Sequence, residues 1–338
     1  MSVRVINLSL KTKIMPYITM LRPEIAFMDI TLPASAAMLA YYFATGGLPN
    51  LWLFLLATIG GFFAITSSYV FNDCVDVDID LINLPSRPLP SGQVSRKSAF
   101  IYATALALIA VFISFYMNPE SFVVLLIALF IITLYSVFFK RKTPFSFVPV
   151  GLAYGLVPIG IWLAFAPAGI LTPAIGPYFT GMVSALTDVQ LTYLLPLPAL
   201  FFGLMICMTD WGFTLAGVSR DVEGDRQKGA PTLPVTYGIP LTAKFVLVIW
   251  IIGIVLSIAI GLSANLGPLY FIVAILSGLW MLRHCLKFIK NPTPEVGGRL
   301  FVDGSNYRGV MFSAMILDIL LLVFVDVYPT LLQLLGFV

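Results

Sequence analysis

Long apolar runs alternate with short polar breaks along almost the whole chain. Each run is about 20 residues, the length a helix needs to cross the hydrocarbon core of a bilayer. About nine such spans are predicted, near 24–46, 51–72, 98–117, 121–139, 145–166, 191–217, 240–262, 266–289 and 309–333. Gly, Pro and Asn mark most breaks: Gly46-Gly47-Leu48-Pro49-Asn50, Asn118-Pro119-Glu120, Ser263-Ala264-Asn265 and Asn291-Pro292-Thr293-Pro294. The stretch 167–190, with Pro167, Pro173 and Gly176-Pro177, is too broken for a span. It is expected to be a long loop with a half-helix on the membrane surface. The pattern predicts an all-α, polytopic membrane protein with about nine transmembrane helices, because only closed hydrogen bonding within each segment satisfies backbone groups in lipid. The expected organisation is one membrane-embedded domain over 1–338, with its helices around a central cavity. Cap loops lie near 73–97 and 218–239.

Composition supports that reading. Hydrophobic residues make up 59% of the chain and charged ones only 10%, unlike any soluble domain. A net charge of +3 gives no electrostatic footing for nucleic acid. Cys74, Cys207 and Cys285 are scattered, which suggests neither a disulfide framework nor a zinc site. The first residues show no removable leader. With the predicted spans, all 19 Lys and Arg fall on one side of the membrane, in alternate loops or the span ends that adjoin them. The loops 47–50, 118–120, 167–190 and 263–265 hold none. The positive-inside rule then predicts a cell-membrane protein with a cytoplasmic amino terminus and an external carboxyl terminus.

Against this background stand two acidic clusters, Asn72-Asp73-Cys74-Val75-Asp76-Val77-Asp78-Ile79-Asp80 and Asp221-Val222-Glu223-Gly224-Asp225. A carboxylate costs roughly 2.5–3.5 kcal/mol at the centre of a membrane helix, so acids near bilayers call for a function. Both clusters are predicted on the cytoplasmic side, one after the second span and one after the sixth. The offset hints at an internal duplication. If each cluster continues its preceding helix, Asn72, Asp76 and Asp80 step along one stripe. Asp73 then lies at the stripe's edge and Asp78 on the far side. Asp221 and Asp225 share a face, with Glu223 turned away. A solvated helix end explains one such cluster; two matched clusters on one membrane face point to paired walls for hard divalent cations such as Mg2+. Asp78 and Glu223 are expected to be solvated or salt-bridged.

Each cluster runs into a Pro-rich basic loop. The first is Asn83-Leu84-Pro85-Ser86-Arg87-Pro88-Leu89-Pro90-Ser91-Gly92, and the second begins Arg226-Gln227-Lys228-Gly229-Ala230-Pro231. Such loops could close over a diphosphate and exclude water. At these residues the chain resembles the UbiA family of integral membrane prenyltransferases. The carrying motifs are Asn72-Asp73-x-x-Asp76-x-x-x-Asp80, Asp221-x-x-x-Asp225 and Asn83-x-Pro85-x-Arg87-Pro88-x-Pro90-Ser91-Gly92. Leu21-Arg22-Pro23, Tyr135-Ser136 and Lys140-Arg141 add to them.

The resemblance implies a polyprenyl diphosphate donor, with geranylgeranyl diphosphate favoured, and a lipophilic acceptor. It implies Asn72, Asp76, Asp80, Asp221 and Asp225 as the set holding two Mg2+ ions. Arg22, Tyr135 and Lys140 would contact the diphosphate, joined by Arg87, Arg226 and Lys228 from the loops. The isoprenoid tail would lie in an apolar groove between helices that opens toward lipid. Val77-Asp78 and Glu24-Ile25-Ala26 depart from the family's usual pattern. The second motif leans toward members that alkylate geranylgeranylglyceryl phosphate. Members using chlorophyllide, quinone precursors or carotenoids stay open. Outside the family, a cation-coupled secondary transporter is the main rival, though transporter sites sit near the bilayer midplane. A CDP-alcohol phosphotransferase would need an Asp-Gly…Ala-Arg…Gly spacing that the clusters lack. Asp210, about three turns before Asp221, is a candidate acceptor-side residue or an ordinary capped polar group. Asp29 and Asp318 are candidate cavity-lining groups, and His284 reads as an interfacial residue.

Overall fold

The computed structural model describes residues 13–168 and 194–325. A short helix α1 covers 13–20. It is followed by α2 (Ala26–Thr45), α3 (Leu51–Val75), α4 (Val77–Asn83), α5 (Arg96–Met117), α6 (Pro119–Val137) and α7 (Phe147–Phe165). The second half comprises α8 (Leu197–Arg220), α9 (Val222–Gln227), α10 (Leu233–Tyr237), α11 (Ile239–Ser263), α12 (Pro268–Lys290) and α13 (Pro294–Phe324). Among the described residues eight helices are long and apolar enough to cross a membrane. α2 is less uniformly apolar but has 20 residues, about 30 Å of helix. Its segment Leu32–Ala40 is buried without a break, so α2 fills the bundle interior and meets little lipid. With it the predicted span positions are all occupied by helices.

The polar punctuation acts through specific caps. Asn50 accepts from the Trp52 and Leu53 amides, and Asn118 accepts from the Glu120 amide at 2.7 Å. Proline fills the first turn of α6, α8, α11, α12 and α13, where a missing N–H costs nothing. One boundary differs from expectation. The last span was predicted to begin near 309, but α13 begins at Pro294, capped by Thr293. Its first turns carry Glu295, Arg299 and Asp303, which hide the helix from an apolar count. Arg308 is therefore mid-helix and fully buried, not a loop charge. Asp318 is not cavity-lining either: its carboxylate accepts from the Gly267 and Tyr270 amides and so caps α12 from a neighbouring helix. Beyond Ala168 the 167–190 loop lies outside the described residues, as do both chain ends and hence Arg4 and Lys11.

α8 is the hub, packing against α7, α11 and α13, while α2 lies against α3, α7 and α13 and closes the ring. Small residues set the spacing. A Cβ on Gly155 would lie 2.8 Å from the Gly203 carbonyl oxygen, and one on Gly203 would lie 3.0 Å from the Gly155 oxygen. Backbones of α7 and α8 thus touch directly. Large apolar side chains such as Trp52, Phe112, Phe130 and Leu276 point outward, as a lipid-facing surface requires. Gly155→Val should force the two helices apart. Overpacking of that kind costs typically about 1–3 kcal/mol, so a melting curve in detergent should shift down, whereas Gly47→Ala, whose added Cβ would meet nothing nearer than 3.6 Å, should shift it less.

Candidate active site

The acidic clusters do not simply continue their helices. α3 stops at Val75 and α4 starts at Val77, with Asp76 between them at φ −97, ψ 14. α8 stops at Arg220 and α9 starts at Val222, with Asp221 between them at φ −91, ψ 10. Both breaks fall in the same bridge region of backbone space. The hydrogen-bond ladder still crosses each: the Asp76 amide donates to Asn72 O (2.9 Å), the Asp80 amide to Asp76 O (2.9 Å) and the Asp225 amide to Asp221 O (3.2 Å). One-turn spacing therefore survives a change in helix direction.

Asn83 joins the two clusters. Its side-chain amide donates to the Asp221 carbonyl at 2.8 Å and accepts from the Gly224 amide at 2.8 Å. A Cβ on Gly224 would sit 2.5 Å from the Asn83 nitrogen, so only glycine lets this bond form. The two acidic segments are thus clasped side by side, as the sequence required of paired walls.

The carboxylates are turned onto cations. Asp76 takes the Lys140 ammonium at 2.5 Å and has Arg141 at 3.6 Å. Asp73 is shared by Arg22 and Arg87 at 3.0 Å each, and Arg87 also holds Asp80 at 2.9 Å. Asp221 is gripped by Arg220 at 2.6 and 2.8 Å. Asp225 has Thr232 at 3.1 Å and feels Lys140 across the site. Burial pushes its carboxyl up to about 6 against that pull. Burial also raises the Asp80 carboxyl, while the Arg141 hydrogen bonds lower that of Asp78. Arg22 is held in the left-handed region at φ 56, a conformation costing a non-glycine residue on the order of 1–3 kcal/mol. Its guanidinium lies 4.5 Å over the Tyr69 ring.

Arg22, Asn72, Asp80, Arg87, Tyr135, Lys140, Asp210 and Asp221 line one cavity. Asp76 and Asp225 are buried behind that wall. Arg226 and Lys228 are not brought to it: Arg226 pairs with Glu223 at 3.1 Å and both basic residues lie at the surface. The turn of α9 that buries Asp225 points its next residue outward. Asp78 is salt-bridged to Arg141 at 2.7 Å, and Glu223 to Arg226, as expected of both. His284, in the last two turns of α12, packs against Trp280 with ring centroids 4.5 Å apart and planes tilted by 54°. Asn83, Asp73, Arg141, Arg220 and Arg308 were given no role by sequence. A hint existed for Asn83, one turn beyond Asp80 and opening the Pro-rich loop.

An apolar track leaves the cavity. Ser68, Ile132 and Tyr154 belong both to the polar chamber and to a small apolar void. Ala64, Leu125, Ala128 and Val157 join that void to a further small one between α3, α5, α6 and α7. From Ser68 to Ala57 the track follows α3 for about 17 Å. Gly60, Gly61, Gly160 and Ala164 supply its room.

The donor set is suited to a hard cation. Among the described residues no three acidic, histidine or cysteine side chains converge on one point, because the carboxylates lean on Arg and Lys. However, Asp76 Oδ1 and Asp225 Oδ1 are buried with no hydrogen-bond partner. Both carboxylates act on the same Lys140 ammonium from opposite clusters. Oxygen-only ligands with unfilled lone pairs fit Mg2+ better than a softer ion.

Comparison with known proteins agrees with this geometry. The UbiA prenyltransferase family model matches residues 32–316. A digeranylgeranylglyceryl phosphate synthase of Thermococcus sibiricus is 26% identical over 284 residues, covering 84% of this chain and 90% of that protein. A protoheme IX farnesyltransferase of Ruthia magnifica is 28% identical over 276 residues, covering 80% and 84%. Among solved structures, a UbiA homolog from Aeropyrum pernix K1 superposes with TM-score 0.64 at 17% identity, covering 87% of this chain and 97% of that one. A UbiA homolog from Archaeoglobus fulgidus bound to GPP and Mg2+ gives TM-score 0.53 at 17% identity, covering 89% and 99%. With the family model spanning most of its spans and both acidic walls, this chain belongs to the UbiA prenyltransferase family and is a multi-pass membrane enzyme that transfers prenyl groups.

Proposed function

We propose that this chain, acting as one membrane domain, transfers a polyprenyl group from geranylgeranyl diphosphate to geranylgeranylglyceryl phosphate and releases diphosphate. The observation that carries the donor half is the clasp: Asn83 holds two acidic walls together beside Lys140, at the mouth of an apolar track. The acceptor half is supported by the synthase relative. The farnesyltransferase relative keeps a second reading, a tetrapyrrole acceptor, in play. The site faces the cytoplasm in this proposal, because the basic residues gather at the same end of the bundle as the acidic walls.

Asn72, Asp76, Asp80, Asp221 and Asp225 would hold a pair of Mg2+ ions, as suggested by the orphaned oxygens and by the Mg2+-bound relative. Bound there, the metal would supply Lewis-acid neutralisation of the leaving diphosphate. Lys140, Arg22 and Arg87 add fixed positive charge to the same group, with Tyr135 beside them. Their present partners, Asp76, Asp73 and Asp80, keep them aimed into the cavity until the diphosphate arrives. The allylic C–O bond then loosens with its electron pair going to diphosphate. The apolar track takes the tail, and the buried aromatic wall keeps water from the electron-poor carbon.

Purified protein given geranylgeranyl diphosphate and Mg2+ should release diphosphate when the right acceptor is added. An acceptor panel of glyceryl phosphate ether lipid, haem, chlorophyllide, aromatic acids and carotenoid separates the readings, and turnover with none of them would sink the proposal. Asp76→Ala and Asp225→Ala should each lose roughly 100-fold or more of that release in protein whose circular dichroism still shows the folded helical bundle. Asn83→Ala should leave the bundle folded but weaken Mg2+-dependent turnover by about 10–100-fold, since it removes the positioning of ligands and not a ligand. In the track, Gly160→Leu would fill space now bounded by Val124 at 3.3 Å from an added Cβ. Its competition assay should shift preference from geranylgeranyl toward dimethylallyl diphosphate, with dimethylallyl turnover retained as the folding control.

A further inference from the structure

The donor chemistry leaves one set of buried charges unused. Asp210 on α8 and Arg308 on α13 form an ion pair at 3.3 Å, with side-chain exposures of 3% and 0%. Arg308 also donates to the Thr209 carbonyl at 3.1 Å and lies 4.7 Å over the Phe213 ring. Thr214 donates to the other Asp210 oxygen at 3.3 Å. Beside them Tyr69 donates to Asp29 at 3.0 Å, and Tyr154 shares a hydrogen bond with Ser68 at 3.0 Å. The Tyr69 and Tyr154 rings stack with centroids 6.4 Å apart and line one cavity with Asp210, so these groups form one layer. Two atoms in it are buried without a hydrogen-bond partner, Arg308 Nε and Asp29 Oδ2.

An ion pair buried in a membrane span gains little stability over apolar packing. Intramembrane charge usually marks a substrate path. This pair is also not sealed off: Asp210, Thr214, Tyr69 and Tyr154 are part of the chamber wall. The chamber therefore has cations and the two acidic walls at its mouth and a further carboxyl group, paired with Arg308, deeper along α8, where no donor group requires one.

We propose that Asp210 recognises the acceptor's hydroxyl and takes its proton, with Arg308 as the residue that positions it. The inference rests on the prenyl-transfer reading and adds to it the acceptor's chemical class, an alcohol. A carboxylate paired with Arg308 can only accept hydrogen bonds, so it selects an O–H and repels an acceptor that presents a carboxylate there. In the reaction the acceptor oxygen's lone pair forms the new C–O bond to the allylic carbon. The old C–O bond breaks with its electrons going to diphosphate, and the hydroxyl proton passes to Asp210. A hydroxyl oxygen bonded to a second carbon is a strong acid, so a weakly basic carboxylate suffices. Thr214 and the Arg308 fork fix the carboxylate's orientation, and Tyr69 and Tyr154 frame the head group.

The test measures Mg2+-dependent binding of geranylgeranyl diphosphate separately from transfer to a glyceryl ether alcohol. Asp210→Asn keeps the shape and should bind donor like wild type, with acceptor KM little changed and kcat down about 10²–10⁴-fold. Asp210→Ala should also raise acceptor KM. Arg308→Gln should lower kcat less than Asp210→Asn, and Arg308→Lys should recover part of the loss, which a purely structural role would not produce at equal melting temperature. Full turnover by Asp210→Asn overturns the inference. So does a wild-type enzyme that alkylates only acceptors lacking a hydroxyl, such as a vinyl group, and both results leave the donor site standing. Wild-type protein that binds no donor overturns the donor reading and this inference with it.

Discussion

An ion taken from water into the end of an apolar bundle must be compensated on the spot, and that requirement organises this protein. Asp73 is met by Arg22 and Arg87, Asp76 by Lys140, Asp221 by Arg220 and Asp210 by Arg308. Each partner comes from another helix or loop, apart from Arg220, which is adjacent in sequence. Pairing of this kind fixes which helix ends meet more firmly than apolar packing, which is tolerant of sliding. Asp225 and Asp29 stand apart, since their nearest hydrogen-bond donors are the neutral hydroxyls of Thr232 and Tyr69.

The second constraint is directional. A carboxylate stripe on a straight helix cannot face a stripe on its neighbour over more than a turn or two. Breaking both helices at Asp76 and Asp221, with almost the same dihedrals, swings α4 and α9 together. Asn83 then locks them through the Asp221 carbonyl and the Gly224 amide. The likeness of the two breaks is a stronger sign of an internal duplication than the weak identity between the halves, because it lies in geometry and not in residue type.

Small residues do two jobs in the bundle. Between α7 and α8 they let backbones meet, and between α3, α5, α6 and α7 they leave space unfilled. The first use gives rigidity around the hub. The second gives a passage for an apolar tail that starts where the polar chamber ends. Chemistry at a lipid boundary needs both: fixed charge at the mouth and a dry, shaped interior behind it.

Much of this was legible in the chain. Span length, loop charge and punctuation located the helices, because bilayer thickness and the cost of unpaired backbone leave few alternatives. One-turn spacing put Asn72, Asp76 and Asp80 on one stripe and Asp221 with Asp225 on another, because a helix repeat can be counted. What sequence could not supply was anything depending on distance across the bundle. It read Arg308 as a loop charge, since a hydropathy pattern has no way to reward a charge neutralised by Asp210 on another helix. It placed Arg226 and Lys228 with the site, since the direction of a side chain after a helix break depends on dihedrals that composition does not set. It passed over Asn83, whose partners lie about 140 residues away in the chain. Local periodicity fixed what each segment is; the meeting of remote segments, settled by charge pairing and backbone satisfaction in a medium without water, decided what the segments do together.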